Sequence, residues 1–289
     1  MVKTLSRAER TRAATKPAPR IGPAEEAVTR SDGVVRILNC LPSRDTEQDW
    51  MFEHAAAAEL TAAAAPPASK DLREAWWTIG DQGSTGSCVG WATADSVLRW
   101  HFVKAGRLQS SEMLSPRFIW MAAKETDEFL SSPTTFIEAD GTSLKAALDI
   151  ARRYGAVTDR VLPFNPPTLF QGEARTFYAI ASKLKIENYI NLGRSPEKWR
   201  QWIAFNGPVL VRLNVDATWN NASHTNGVLN VYDAATAGGG HAVALVGYDK
   251  NRFIVRNSWD IPWGDGGFAH ASNEYAAAAF TEAYGVSVL

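Results

Sequence analysis

Two short stretches of the chain hold residue types that could carry out nucleophilic chemistry together. The first is Asp81-Gln82-Gly83-Ser84-Thr85-Gly86-Ser87-Cys88, a side-chain amide six residues before a thiol with two glycines between. A helix is expected to open at Cys88 with Ser87 as its cap. A thiol there meets the partial positive charge and unpaired N–H groups of the helix start, which favour thiolate. The Cys88 N–H and the Gln82 amide can converge on one point, where an oxyanion develops when sulfur attacks a carbonyl. A buried structural cysteine beside a glycine loop is the competing reading.

The second stretch begins at Gly238-Gly239-Gly240-His241-Ala242-Val243, where a histidine opens an apolar strand after a loop with little bulk. A thiol nucleophile needs a base, and His54, His101, His224 and His270 lack a comparable setting. Sixteen residues after His241 lies Asn257, within Arg256-Asn257-Ser258-Trp259. If HAVALVGY and RFIVRNS form a hairpin through Asp249-Lys250-Asn251, His241 and Asn257 meet at one edge. The Asn257 amide oxygen can then accept the imidazole N–H, and Trp259 can shield that bond from water, which strengthens it. A strand cap is the plainer reading of Asn257, and Trp263 reads as core.

The surrounding elements must bring these stretches together. A helix is expected from Cys88 to about Lys104, with Trp91, Ala92, Val97, Leu98 and Phe102 inward. A second is bounded by Ser143 and Gly155, and a third has Ser195 as cap, Pro196 at its first position and Trp199, Trp202 and Ile203 inward. Asn206-Gly207-Pro208 stops the third. Beyond Pro208 the runs PVLVRLNV, HAVALVGY, RFIVRNS and GFAHA read as strands. Helices first and strands second argue an α+β fold, a helical half facing a β half across a cleft.

The same blocks resemble those of the papain-like cysteine peptidases. QGSTGSC is similar to that family's glutamine–glycine–cysteine block, whose cysteine signature is a known local marker. GGGHAV and RNSWDIPWGDGGF resemble its histidine and Asn-Ser-Trp blocks. SPRFIWMAAKETDEF and DGTSLKAALDIARRYGAV…LPFN resemble stretches seen especially in bacterial members. The resemblance runs from Leu41 or Asp71 to Tyr284, with the blocks in family order. It implies a two-lobed fold with a helical N-terminal lobe and an antiparallel, barrel-like C-terminal lobe. It also implies Cys88 as nucleophile, His241 as general base and acid, Asn257 as orienting group and Gln82 in the oxyanion hole. Asp140, Gly141 and Gly240 would line the groove that takes a protein or peptide substrate, with no metal or cofactor. Val89-Gly90-Trp91 displaces by two the aromatic residue that usually follows the cysteine.

Composition agrees with a globular enzyme. Of 289 residues, 45% are hydrophobic, enough for a proper core. The 30 basic and 31 acidic residues nearly cancel, which gives no support for a nucleic-acid partner steered by bulk charge. No apolar run approaches the roughly 20 residues that span a bilayer, so no membrane partner is expected. Two cysteines, Cys40 and Cys88, fit a reducing compartment; Cys40 could also bridge to Cys88 and silence it. Residues 1–35 begin with a basic stretch and read as a disordered, solvated tail, although its make-up is superficially like an organelle transit peptide. It lacks a secretory leader's apolar core, so the expected location is cytoplasmic, or outside the cell through a dedicated export system. Residues 36–70 read as an N-terminal extension or short prosegment able to inhibit the enzyme intramolecularly, with one helix from Trp50 to Ala65 ended by Pro66-Pro67. Residues 71–289 read as the peptidase domain. An acyl transferase or peptide ligase using the same site, and a non-catalytic binding module of the same fold, remain as alternatives.

Overall fold

A helix starts at Cys88, where the glycine-punctuated loop ends and the apolar run begins. It proceeds as α-helical Cys88–Thr93, a π turn over Ala94–Leu98 and α-helical Arg99–Lys104. The Ser87 hydroxyl does not cap it. Ser87 sits at φ −87° and ψ 11°, away from the extended geometry that aims a cap oxygen at the first turn. Its Oγ instead lies 2.6 Å from Thr85 Oγ1. The computed structural model describes residues 26–29, 35–126 and 140–288; the basic stretch that opens the chain lies outside them. Further helices are Pro116–Thr126, Leu144–Arg153 and Pro196–Phe205. The last two match their sequence signals: Ser143 Oγ accepts from Ala146 N and Ser195 Oγ from Lys198 N. Trp199, Trp202 and Ile203 are buried as expected.

The strands are β1 (Glu26–Thr29), β2 (Val35–Leu38), β3 (Lys70–Asp71), β4 (Asn188–Asn191), β5 (Val209–Asn214), β6 (Val228–Leu229), β7 (Gly240–Tyr248), β8 (Arg252–Arg256), β9 (Phe268–Ser272) and β10 (Phe280–Ser287). β1 and β2 form a two-stranded ribbon, so a regular element stands within the stretch expected to lack one. The main sheet runs β4-β10-β5-β7-β8-β9-β6, with β3 pairing beside β7. The fold is α+β, but the sheet does not close into a barrel: β4 and β6 stand at opposite ends of the path. Nor is it wholly antiparallel, because β6 pairs in parallel with β9. β7 is buried along its whole length, with the helix that starts at Cys88 packed against it.

A buried ion cluster joins the two halves. Asp95, in the π turn, faces Arg256 of β8 at 2.7 Å and Arg99 of its own helix at 3.1 Å. Arg256 Nη2 also donates to Thr78 O, and Trp77 Nε1 donates to Asp95 O. The one carboxylate serves both guanidinium groups, and backbone carbonyls take further guanidinium N–H groups, which makes the burial tolerable.

A further sequence expectation fails in the N-terminal extension. The alanine-rich helix runs only over Phe52–Ala57. Beyond it, Gln201 Nε2 donates to Ala62 O and Ala64 O, and Asn206 Nδ2 donates to Leu60 O. Tertiary bonds to the neighbouring helix replace the intrahelical ones, overriding alanine's propensity.

Asp95→Ala would strand Arg256 as a buried, unpaired cation, and a loss of about 3–5 kcal/mol is expected, read from the urea midpoint. Burial lowers the pKa of His101 from 6.5 to about 4. The unfolded chain therefore binds more protons between those values, so stability is lost as pH falls through that window, by on the order of 3 kcal/mol. His101→Leu should flatten the corresponding slope of the denaturation midpoint against pH.

Candidate active site

β7 and β8 pair as expected, with Ala244 opposite Arg256 and the turn closed by Asp249 N donating to Arg252 O. That register sets His241, at the start of β7, beside Asn257, just past the end of β8. His241 Nε2 lies 2.8 Å from Asn257 Oδ1, and both residues are fully buried. Asn257 Oδ1 also accepts from Ser258 N, so the amide is held from two sides. With Nε2 occupied, Nδ1 is the ring nitrogen with no other partner.

Cys88 lies opposite, at the first residue of its helix. Its thiol is held well below the usual range by a hydrogen bond from the Cys40 thiol, against the cost of burial, with His241 and the Ala242 N–H adding to the effect. The sequence pairs these halves of the chain only by their chemistry; the structure brings Cys88, His241 and Asn257 into one constellation.

Gln82 is buried beside them. Its Oε1 accepts from Ser258 Oγ at 3.0 Å and Trp259 Nε1 at 3.2 Å, and its Nε2 donates to Thr85 O. An amide nitrogen carries two hydrogens, so Nε2 has one donor beyond the bond to Thr85. Trp259 lies against the His241 ring, centroids 4.9 Å apart, and shields the His241–Asn257 bond as expected. Trp263 belongs to the core behind it, packed on Trp219. Trp219 also meets the His241 ring edgewise, and nothing in the sequence marks it for that place.

Gly141 and Gly240, the glycines expected to line a groove, both lie against another part of the chain. A Cβ on Gly141 would fall 1.4 Å from Asn39 O, and one on Gly240 would fall 2.0 Å from Cys40 O. Residues 39–41 therefore thread between Gly141 and the start of β7, with Cys40 next to Cys88. Cys40 N donates to Gly240 O at 2.8 Å and Leu41 N to Thr142 O at 3.0 Å. Arg212 Nε donates to Cys40 O at 3.0 Å. Farther out this strap is pinned by Arg36 to Asp81 at 2.7 Å, and by Asp49 to Lys145, Tyr284 and Asn191. Asp140 contributes its carbonyl to Trp120 Nε1. Arg212 escaped the sequence reading, although a lone charge inside PVLVRLNV is a signal that it must find buried partners.

The model of the papain family of cysteine proteases matches residues 66–286. Cysteine proteinase B of Leishmania mexicana is 24% identical over 213 residues, covering 71% of this chain and 44% of that protein. The chain spans about half the length of the first curated relatives it matches. Among solved structures, xylellain, a cysteine protease from Xylella fastidiosa, superposes with a TM-score of 0.71 at 18% identity, covering 91% of this chain and 98% of that one. A procathepsin B from Trypanosoma congolense gives 0.62 at 18% identity, covering 86% of each chain. These likenesses show a shared fold.

Because residues 39–41 fit only against bare backbone, Gly141→Ala should lever the strap away through the Cβ collision with Asn39. The expected result is faster alkylation of Cys88 by iodoacetamide than in the parent chain, followed by peptide mapping.

Proposed function

From the premise that this chain belongs to the papain family of cysteine proteases, we propose that it is a cysteine endopeptidase held latent by its own N-terminal strap. The observation that carries the reading is the 2.8 Å bond from His241 to Asn257 beside a thiol whose ionised form is favoured. Cys88 sulfur attacks the carbonyl carbon of a peptide bond. The oxyanion is received by the Cys88 N–H and the free Gln82 N–H. His241, carrying the proton from the thiol, gives it to the departing amine, and the peptide leaves a thioester on Cys88. His241 then takes a proton from water, which attacks the thioester and frees the acid. Asn257 acts by keeping the ring in the orientation that serves both transfers.

The substrate is a protein or peptide chain lying in the groove between Gly141 and Gly240, with Asp140 at its rim. In the latent form residues 36–70 take that place, which the complete burial of Cys88 and His241 supports. The likeness to a structure described as a procathepsin supports the same arrangement.

The test compares the full chain with Cys88→Ala on a peptide library, before and after limited cleavage of the strap. Wild type should be nearly silent at first and gain activity once the strap is cut. Cys88→Ala should stay roughly 10⁴-fold or more below it. Equal activity in the two proteins would end the peptidase reading. Full activity in an uncut wild-type chain, verified by intact mass, would end the latency reading.

A further inference from the structure

One nucleophilic group takes no part in this chemistry. Cys40 and Cys88 are the only cysteines in the chain, and both are free and buried. The strap delivers one to the other: Cys40 N is bonded to Gly240 O, next to His241, and Cys40 O is clamped by Arg212. In that position the Cys40 thiol, which donates weakly to Leu41 O at 3.9 Å, is close enough to Cys88 for each sulfur to act on the other's ionisation.

We propose that Cys40 and Cys88 form a reversible disulfide, a covalent latch that oxidation closes over the groove and a dithiol reductant opens. The proposal rests on the reading of Cys88 as a catalytic thiol beneath an inhibitory strap, and it names a control on that site. The two sulfurs have distinct parts. Cys88, favoured as thiolate, attacks hydrogen peroxide; its S–O bond forms, the peroxide O–O bond breaks and hydroxide leaves. Cys40, whose thiol is pushed well above the usual range by burial and by its neighbour Cys88, remains protonated until that step. It then gives its proton to the departing oxygen as its sulfur attacks the Cys88 sulfenic acid. The S–S bond forms and water leaves. Overall two thiols and one peroxide become one disulfide and two waters. A dithiol reductant returns two electrons and two protons by exchange and is itself oxidised to a disulfide.

The latch alters what cutting the strap can accomplish. With the thiols free, cleavage beyond Leu41 releases the segment that covers Cys88. With the bond closed, the same cut leaves Cys40 and its neighbours tethered across the groove. Because Cys40 is consumed as the resolving thiol, it also stops Cys88 at the sulfenic stage and spares it from irreversible oxidation to sulfinic acid.

The experiment exposes the full-length chain to a brief pulse of hydrogen peroxide, blocks remaining thiols, and maps peptides without reduction. In parallel, strap-cut samples are assayed on a peptide before and after dithiothreitol. In wild type a linked peptide containing Cys40 and Cys88 should appear, with activity lost on oxidation and recovered on reduction. In Cys40→Ser, Cys88 should accumulate as sulfinic acid and activity should not return. Finding Cys88 overoxidised or still alkylatable in wild type, with no linked peptide, would overturn the latch, as would full recovery in Cys40→Ser. Mapping reads the bond regardless of turnover. A linked peptide in a chain that never cleaves substrate would therefore retire the peptidase reading while leaving the latch in place.

Discussion

The geometry of this site depends on a carboxylate that never touches it. Asp95 lies in the helix that carries Cys88, and its partner Arg256 is the residue before Asn257. The ion pair thus connects the element bearing the sulfur to the element bearing the group that orients the imidazole. In water such a pair would contribute little. Buried, and with Arg99, Trp77 and Thr78 adding further bonds to the pair, it acts as a locator: sliding one half past the other would leave charges without partners. The π turn belongs to this arrangement, since Asp95 sits within it, and such local widenings of a helix often stand next to functional residues.

Around that locator the site is dry. Trp259 and Trp219 enclose the imidazole, and Gln82 is fastened to Ser258 and Trp259, which ties the loop before Cys88 to the segment after β8. A hydrogen bond between His241 and Asn257 is stronger in such surroundings than at a wetted surface. The same dryness makes an isolated thiolate costly. Cys88 therefore needs the donors that converge on it, of which one comes from the strap.

Much of this arrangement is legible in the residues. Cys88, His241, Asn257 and Gln82 stand out as candidates because each combines a reactive side chain with a local backbone signal: a helix start, a strand start, a hairpin end, a glycine turn. Helices flanked by Ser143 or Ser195 could be bounded for the same reason, because caps act over three or four residues. What escaped depends on contacts between distant segments. The alanines after Ala57 abandon the helix because Gln201 and Asn206 compete for their carbonyls. The open end of the sheet follows from β6, a two-residue strand too short to leave a periodic pattern. Trp219 reaches the site from an element whose local sequence carries no sign of a partner, and Arg212 from a strand whose lone charge signals burial without saying against what. The meeting of Cys40 with Cys88 belongs to the same class, since a pair of cysteines specifies no distance between them.

The strap meets the groove through two main-chain bonds, Cys40 N to Gly240 O and Leu41 N to Thr142 O. Main-chain N–H groups are common to every polypeptide, so any extended chain entering the groove can offer the same two donors. At these positions one polypeptide backbone replaces another, and the swap is close to neutral in free energy. Hold over the groove must then reside in contacts an arriving chain cannot imitate: Arg36 on Asp81, and Asp49 among Lys145, Tyr284 and Asn191. How readily the cleft is vacated is therefore decided at its two ends, away from the atoms that react, and could drift through evolution without disturbing the chemistry between them.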